Sequence, residues 1–357
     1  MKDVLTITLH CTDNSGSSLQ AFALQRYIES RGCNCSIINY CPDYLRYNGN
    51  KFKSIILNLT LNLFTHIEIE KKLKAFRENY LKVTPELFKT YSDLLNHNFD
   101  VDIVISGSDQ LWNPSYACGL DDAYYLSFIG NNKVKKIAYA ASVGKDSLTA
   151  EEIEKLQLKT KKFDSITVRE KQIVDNIFTH SVQWVCDPVF LIDESVYLDM
   201  MTTRQVKDKY LLVYLIYENS QLLDKYIEEY RKQRGGKVIQ IGGFRRKCDC
   251  DIHIKELDPL DFLSYIKYAD YVVSSSFHAT AFSILFNKEF SVLNPQRNHS
   301  RIESLLSVSE SVTNRMITER NIVDQFIDKI NYVKVNEDFK CFIDNSKKKL
   351  DSIILSD

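Results

Sequence analysis

Three stretches of the chain bring polar and ionisable residues together at spacings suited to binding an anion or a sugar. In ADYVVSSSFHATAFSILFNKEF (269–290), the triplet Ser274-Ser275-Ser276 follows a short apolar run, and His278 falls in the first turn of an apolar helix. A strand feeding a helix through three serines gathers hydroxyls, backbone N–H groups and the positive end of the helix dipole at one point. That combination favours an anionic group and leaves His278 within reach of it. The plainer alternative makes Ser276 the N-cap of a core helix and His278 a packed residue. In Gly107–Pro114, Ser108, Asp109, Gln110 and Trp112 offer a carboxylate and an amide for hydroxyls and an indole for a sugar face, unless Trp112 simply fills the core. Arg169 stands at the end of Ser165–Val168, where its planar fork suits phosphate or carboxylate, or pairs with a neighbouring acid such as Glu170.

Weaker signals accompany these. Gly242-Gly243 ends the apolar run Lys237–Ile241 and permits close backbone approach to a ligand. Asn14, Ser15, Ser17 and Ser18 form a turn-prone loop after the first strand, with Ser17 or Ser18 as the expected helix cap. It is no G-x-G-x-x-G, so a dinucleotide site is not supported. Gln296–Arg301 places Arg297, His299 and Arg301 in a polar loop before a helix.

The elements that must position these groups alternate between strand and helix. Val4–Leu9, Ser36–Asn39, Val101–Ser106, Lys136–Ala141, Ser165–Val168 and Val182–Val185 read as strands, with helices at Leu19–Ser30 and Thr149–Lys162. The latter opens with the capping box Thr149…Glu152. Lys51–Lys89 reads as mostly helical; packing is the preferred explanation of the basic and apolar residues around Phe52–Phe64, and contact with a membrane surface is the alternative. A second series follows: strand Tyr210–Tyr217, helix Ser220–Lys232, strand Lys237–Ile241, helix Asp258–Tyr268 with Pro259 at its first position, strand Tyr271–Val273, helix Phe277–Phe286. Strands alternating with helices predict parallel α/β sheets, whose ligands sit at the carboxyl ends of strands. The resulting organisation is an N-terminal Rossmann-like domain over 1–195, a second over 209–320, and a helical segment over 321–357 that can pack back on the first. A length of 357 residues agrees with two cores.

Composition narrows the class. A net charge of −1 argues against a nucleic-acid partner bound through bulk charge. No apolar run is long enough to span a bilayer, and the first residues lack a signal-peptide pattern, so a cytoplasmic protein is expected. Nine cysteines are an odd count without a secretory context, which favours reduced thiols. Cys248, Cys250 and His253 are the best metal candidates, but strand neighbours alternate faces and no fourth ligand is apparent; no metal site is expected.

Seven segments, in order, resemble the polysaccharide pyruvyl transferases: NSGSSLQAFALQ (14–25), GSDQLWNP (107–114), YAASVG (139–144), TVRE (167–170), DPVFLI (187–192), SSSFHATAFSILFNKEF (274–290) and RNHSRIESLL (297–306). The resemblance spans about residues 1–310, and the S-F-H-x-T-x-F-S block with the later S-R-I is its most specific part. It implies two Rossmann-like domains facing across a cleft, GT-B-like, and transfer of a pyruvyl group from phosphoenolpyruvate onto two hydroxyls of a sugar as a cyclic ketal. Phosphoenolpyruvate is then the donor substrate, no cofactor is needed, and the acceptor is a capsule or other surface-polysaccharide precursor, expected to be lipid-linked. By this resemblance the catalytic residues are His278 and Arg169; the chemistry also calls for an acid near the acceptor, for which Asp109 is the leading candidate. Ser275, Ser276, Thr280, Gly243, Arg297 and Arg301 bind the donor; Asn14, Ser15, Ser17, Ser108, Gln110 and Trp112 bind the acceptor. Two departures stand out: Phe277 precedes the histidine where some relatives carry arginine and leucine, and Thr167 replaces a serine. The competing readings are a GT-B glycosyltransferase using a nucleotide sugar and a non-catalytic glycan-binding protein of the same fold.

Overall fold

The structure is a computed structural model, which describes residues 1–46, 63–131, 133–176, 182–216, 221–243, 245–255, 257–294 and 299–356. The chain divides into two compact units. The first comprises Met1–Leu57, Lys74–Ile192 and Cys341–Asp357; the second comprises Asn58–Leu73 and Asp193–Lys340. The boundary expected at 321 falls instead inside a continuous helix, Tyr332–Ile354.

The first unit is built on six strands: β1 (Asp3–Ile7), β2 (Asn34–Ile37), β3 (Ile103–Ser106), β4 (Lys135–Ala141), β5 (Ser165–Val168) and β6 (Gln183–Trp184). All neighbours run parallel, in the order β2-β1-β3-β4-β5-β6. Val4, Ile7, Ile103, Val104, Ile105 and Ile137 are buried, as expected of strands covered on both faces. The chain order reverses between β1 and β3, so the loops leaving their carboxyl ends flank a topological switch point. The second unit repeats the scheme with five strands: β7 (Tyr210–Tyr214), β8 (Lys237–Ile241), β9 (Ile252–Ile254), β10 (Tyr271–Ser274) and β11 (Glu289–Val292). Their order is β11-β10-β7-β8-β9, again parallel, with the reversal between β7 and β10.

Helix signals read from the sequence recur with shifts that have local causes. The first helix spans Ser15–Ser30, starting four residues before the expected Leu19. Its cap is Asn14 rather than Ser17 or Ser18: the Asn14 side chain accepts from the N–H groups of Gly16 and Ser17, which places the serines inside the first turn. The Thr149/Glu152 capping box is present at the start of Ala150–Thr160, and Asp258 caps Pro259–Tyr268. The expected Lys51–Lys89 helix is shorter. Leu63–Tyr80 is helical, but the following segment reaches Pro85 and pairs alongside β2 through bridges at Val83 and Phe88. Residues 51–62, with most of the proposed membrane-touching stretch, lie outside the described residues. The C-terminal region is not one helix: Asp324–Ile327 is separate from Tyr332–Ile354. The end of the latter belongs to the first unit, where the Phe342 and Trp184 rings lie 4.4 Å apart and Ser346 Oγ accepts from the Cys186 N–H at 2.9 Å.

Candidate active site

In the first unit the loops at the switch point carry a buried polar network. Asp109, three residues past the end of β3 at Ser106, has φ 87°, a left-handed conformation costly for a residue with a Cβ. The distortion is held by its surroundings. The Asp109 carbonyl accepts from the Ser142 and Leu111 N–H groups, and its Oδ1 accepts from the Gln110 N–H at 2.8 Å. Its other oxygen accepts from Ser17 Oγ, which joins the first turn of the Ser15–Ser30 helix to the loop after β3. Asp109 therefore sits where the fold tends to place ligands, with its side chain 9% exposed and its carboxylate fixed in direction.

Arg169 lies behind Asp109. Its Nη2 is 3.6 Å from Asp109 Oδ1, and its Nη1 donates to Asp187 Oδ2 at 2.7 Å and to Ser108 Oγ at 3.4 Å. Ser108 Oγ in turn donates to Asp187 Oδ2 at 2.9 Å, while Asp187 Oδ1 caps the Pro188–Phe190 turn through the Val189 N–H. Burial works against the guanidinium charge, but Asp187, Asp109 and Glu170 outweigh it and hold the Arg169 pKa above its ordinary value. The guanidinium is thus engaged by internal carboxylates. Sequence reasoning left the choice between an external anion and a neighbouring acid open; the acids here are Asp187 and Asp109. Glu170 turns instead toward Ser142 Oγ and the Gly144 N–H.

Asp187 is the residue that the candidate set missed. Its signal was an aspartate–proline pair directly after a strand, which reads as a cap; only the fold brings that carboxylate to Arg169 across 18 positions. Thr167, where a serine was expected, spans β4 and β5 by accepting from the Ala140 N–H and donating to the Ala138 carbonyl, at an irregular point where Ala140 has φ 51°. Trp112 is a correction. It is 1% exposed, its ring stacks on Tyr125 at 5.7 Å and 8°, and Nε1 donates to the Tyr124 carbonyl. An indole packed this way has no open face for a sugar. Gln110 accepts from Asn113 Nδ2 at 2.8 Å, and the side chain of Asn14 is used as the helix cap.

In the second unit β10 delivers Ser274, Ser275 and Ser276 to its own switch point. Ser274 Oγ donates to the Tyr214 carbonyl and accepts from the Ser276 N–H; Ser275 Oγ accepts from the Ile216 N–H. These bonds tie the end of β10 to the end of β7. Ser276 caps the Phe277–Leu285 helix through the Ala279 N–H, and Thr280 donates back to the Ser276 carbonyl. His278, 6% exposed, occupies the second position of that helix, with the Phe277 ring edge-on at 5.3 Å. Ser276 is thus the N-cap of this helix, and His278 is buried in its first turn. Gly242 and Gly243 follow β8 with φ of 72° and 74°, a conformation that favours glycine at both positions. Arg301 is half-buried on the Ser300–Leu306 helix, and Arg297 lies outside the described residues.

Each unit thus has a parallel sheet with polar residues at its switch point, the Rossmann-like plan of GT-B proteins. Solved structures share it over nearly the whole chain. They include a putative UDP-N-acetylglucosamine 2-epimerase from Listeria monocytogenes (10% identity, 100% of this chain and 97% of that one, TM-score 0.57). UDP-GlcNAc 2-epimerase from Neisseria meningitidis bound to UDP-GlcNAc gives 11% identity, 99% and 100% coverage, and a TM-score of 0.57. Arabidopsis thaliana UGT89C1 complexed with quercetin gives 10% identity, 99% coverage of both chains, and a TM-score of 0.56. At such identities the likeness concerns the fold. No curated protein matches the sequence. The family described as polysaccharide pyruvyl transferase matches residues 14–297. The chain belongs to that family and is an enzyme of this type.

Proposed function

We propose that this enzyme moves a pyruvyl group from phosphoenolpyruvate onto two hydroxyls of a sugar in a surface-polysaccharide precursor, such as a capsule unit carried on a lipid at the inner membrane face. The observation that carries this reading is the family match over 14–297, which contains the Arg169–Asp109 network and the Ser276–His278 turn. No helix among the described residues is long and apolar enough to cross a membrane. Access to a lipid-linked acceptor would therefore be peripheral.

The second unit supplies the donor chemistry in this proposal. Phosphoenolpyruvate has two anionic groups, which suit the amides of the Ser276 turn and the cations Arg301 and Arg297. His278 is the acid that protonates the methylene carbon, histidine being the most common side chain in general acid–base catalysis. Protonation leaves C2 electron-poor, and one sugar hydroxyl adds there. Phosphate departs from C2 with the bonding pair, and the second hydroxyl closes the ketal; both hydroxyl protons are lost. The first unit supplies Asp109 to orient a hydroxyl or take its proton, with Arg169 fixing the direction of that carboxylate. No metal enters this scheme.

The test is incubation of the purified protein with phosphoenolpyruvate and a panel of lipid-linked galactose, mannose and hexosamine acceptors. An acceptor gaining the mass of a pyruvyl ketal, with stoichiometric phosphate release, is the expected result. His278→Ala should remove turnover and leave the melting temperature unchanged. Absence of phosphoenolpyruvate binding, together with consumption of a UDP-sugar, would replace this reading by nucleotide-sugar chemistry; the structurally similar Neisseria meningitidis epimerase is bound to UDP-GlcNAc. Retained cellular function in His278→Ala would favour a non-catalytic glycan-binding role.

A further inference from the structure

Apart from both clusters, the first unit gathers one histidine and two cysteines from different loops. His10 and Cys11 follow β1, and Cys41 follows β2, 30 positions later in the chain than Cys11. All three are buried, at 1%, 5% and 5% exposure, and their ligand atoms lie within 4.8 Å of one another. The sequence did not single them out, because a histidine next to a cysteine has no metal-site spacing until β1 and β2 are paired.

We infer that His10, Cys11 and Cys41 form a site for a thiophilic divalent cation of the zinc class, with the fourth position taken by water. Two independent features of the geometry support this. The first is distance. Bonds of about 2.3 Å to sulfur and about 2.0 Å to nitrogen at a tetrahedral angle put the two ligand atoms about 3.5 Å apart. His10 Nε2 and Cys41 Sγ are 3.7 Å apart. The second is the orientation of the ring. His10 Nδ1 lies 3.3 Å from the Thr8 carbonyl, which also accepts the His10 backbone N–H at 2.9 Å. A proton on Nδ1 donated to that carbonyl leaves Nε2 as the lone-pair nitrogen directed at Cys41. Metal-binding histidines are held in this way, with one nitrogen on a carbonyl and the other on the ion.

Two thiolates and one neutral imidazole make a soft donor set whose two negative charges balance a divalent cation, which selects zinc over magnesium or calcium. Binding releases the two thiol protons to solvent and involves no change of oxidation state. The ion would tie the end of β2 to the loop that leads into Asn14 and Ser17, and so secure the segment whose Ser17 holds Asp109. Its role is structural and does not depend on the donor assigned above.

The test uses the full-length, tag-free protein purified under reducing conditions. Zinc content would be measured by elemental analysis, affinity by competition with a chromogenic chelator, and ligand type by cobalt(II) substitution. The expected results are one equivalent of zinc, a rise in melting temperature on its addition, and a thiolate-to-cobalt charge-transfer band. In the wild-type protein zinc should also slow alkylation of Cys11 and Cys41 relative to the zinc-free protein while the exposed Cys341 reacts at an unchanged rate, a readout that needs no variant. Cys41→Ser and His10→Gln should each weaken zinc by more than about 100-fold, because loss of a ligand costs more than loss of a supporting residue. Cys248→Ser should leave affinity unchanged. Failure to bind zinc with thiols reduced, zinc binding that leaves Cys11 and Cys41 open to alkylation, or isolation of a Cys11–Cys41 disulfide in place of a metal complex would each overturn the assignment.

Discussion

Replacing Arg169 by methionine isolates the ion network that the structure places beneath Asp109. Both partners are almost fully enclosed: the side chains of Arg169 and Asp187 are 1% and 0% exposed, with Nη1 and Oδ2 2.7 Å apart. A second carboxylate, Asp109, lies 3.6 Å from Nη2. At an effective dielectric near 20, each charge pair at such separations is worth about 4 kcal/mol before desolvation, and desolvation offsets several kcal/mol per ion. The wild-type network therefore contributes little net stability. Removing only the cation is different, since two carboxylates stay buried without their counter-charge, at a cost of about 3–5 kcal/mol. Methionine retains much of the volume, so cavity formation adds little. Chemical denaturation of the full-length protein, followed by the fluorescence of Trp112 and Trp184, reads the first unit because both tryptophans belong to it. Arg169→Met should move that transition by about 3–5 kcal/mol, and adding Asp187→Asn should recover about 1–3 kcal/mol through coupling of the two sites. A cost below about 1 kcal/mol for Arg169→Met, or strict additivity with Asp187→Asn, would refute a buried hub and return Arg169 to the role of a ligand-facing cation.

Two further perturbations test neighbouring features. Trp112→Ala should destabilise the first unit by about 3–5 kcal/mol, as for other buried large aromatics, with Trp112→Phe milder; unchanged unfolding combined with a raised acceptor KM would restore the sugar-stacking role. Glu152 titrates below the ordinary glutamate range: partial burial opposes ionisation, but the Lys145 ammonium and the Thr149 N–H outweigh it. Its folded pKa is the lower one, so its contribution is complete above the unfolded glutamate pKa of about 4.3 and disappears as pH falls through the folded value. The stability difference between wild type and Glu152→Gln, measured by thermal melts, should therefore be fully present at pH 6 to 7 and shrink progressively once the pH falls below about 4.3; a constant difference from pH 7 into that acid range would sink the argument.

Local rules were reliable where the controlling interaction is local. The Thr149…Glu152 box, Pro259 after the cap Asp258, and the apolar helix after Ser276 all depend on residues within four positions, and each forms as expected. Local rules misassigned the cap of the first helix because several residues in Asn14–Ser18 are good caps, and the choice depends on where the chain leaves β1. They also extended the helix past Tyr80, since pairing of Val83 and Phe88 beside β2 is a long-range competitor to helical continuation. The short strands Ile252–Ile254 and Glu289–Val292 were missed because three or four residues carry too little periodicity to stand apart from loops.

From the sequence alone came the α/β class, the succession of strands and helices, the family resemblance, and the placement of Arg169, Asp109 and His278 beside strand ends. Those features follow from hydrophobic periodicity and turn chemistry, which are encoded within a few residues of where they act. The tertiary structure decided which carboxylates surround Arg169, whether Trp112 faces a ligand or the core, and which thiols and imidazole meet beyond β1 and β2. These depend on strand order and burial. Asp187 reaches Arg169, and Cys41 reaches His10, only after parallel strands from distant parts of the chain are set side by side, about 4.8 Å apart.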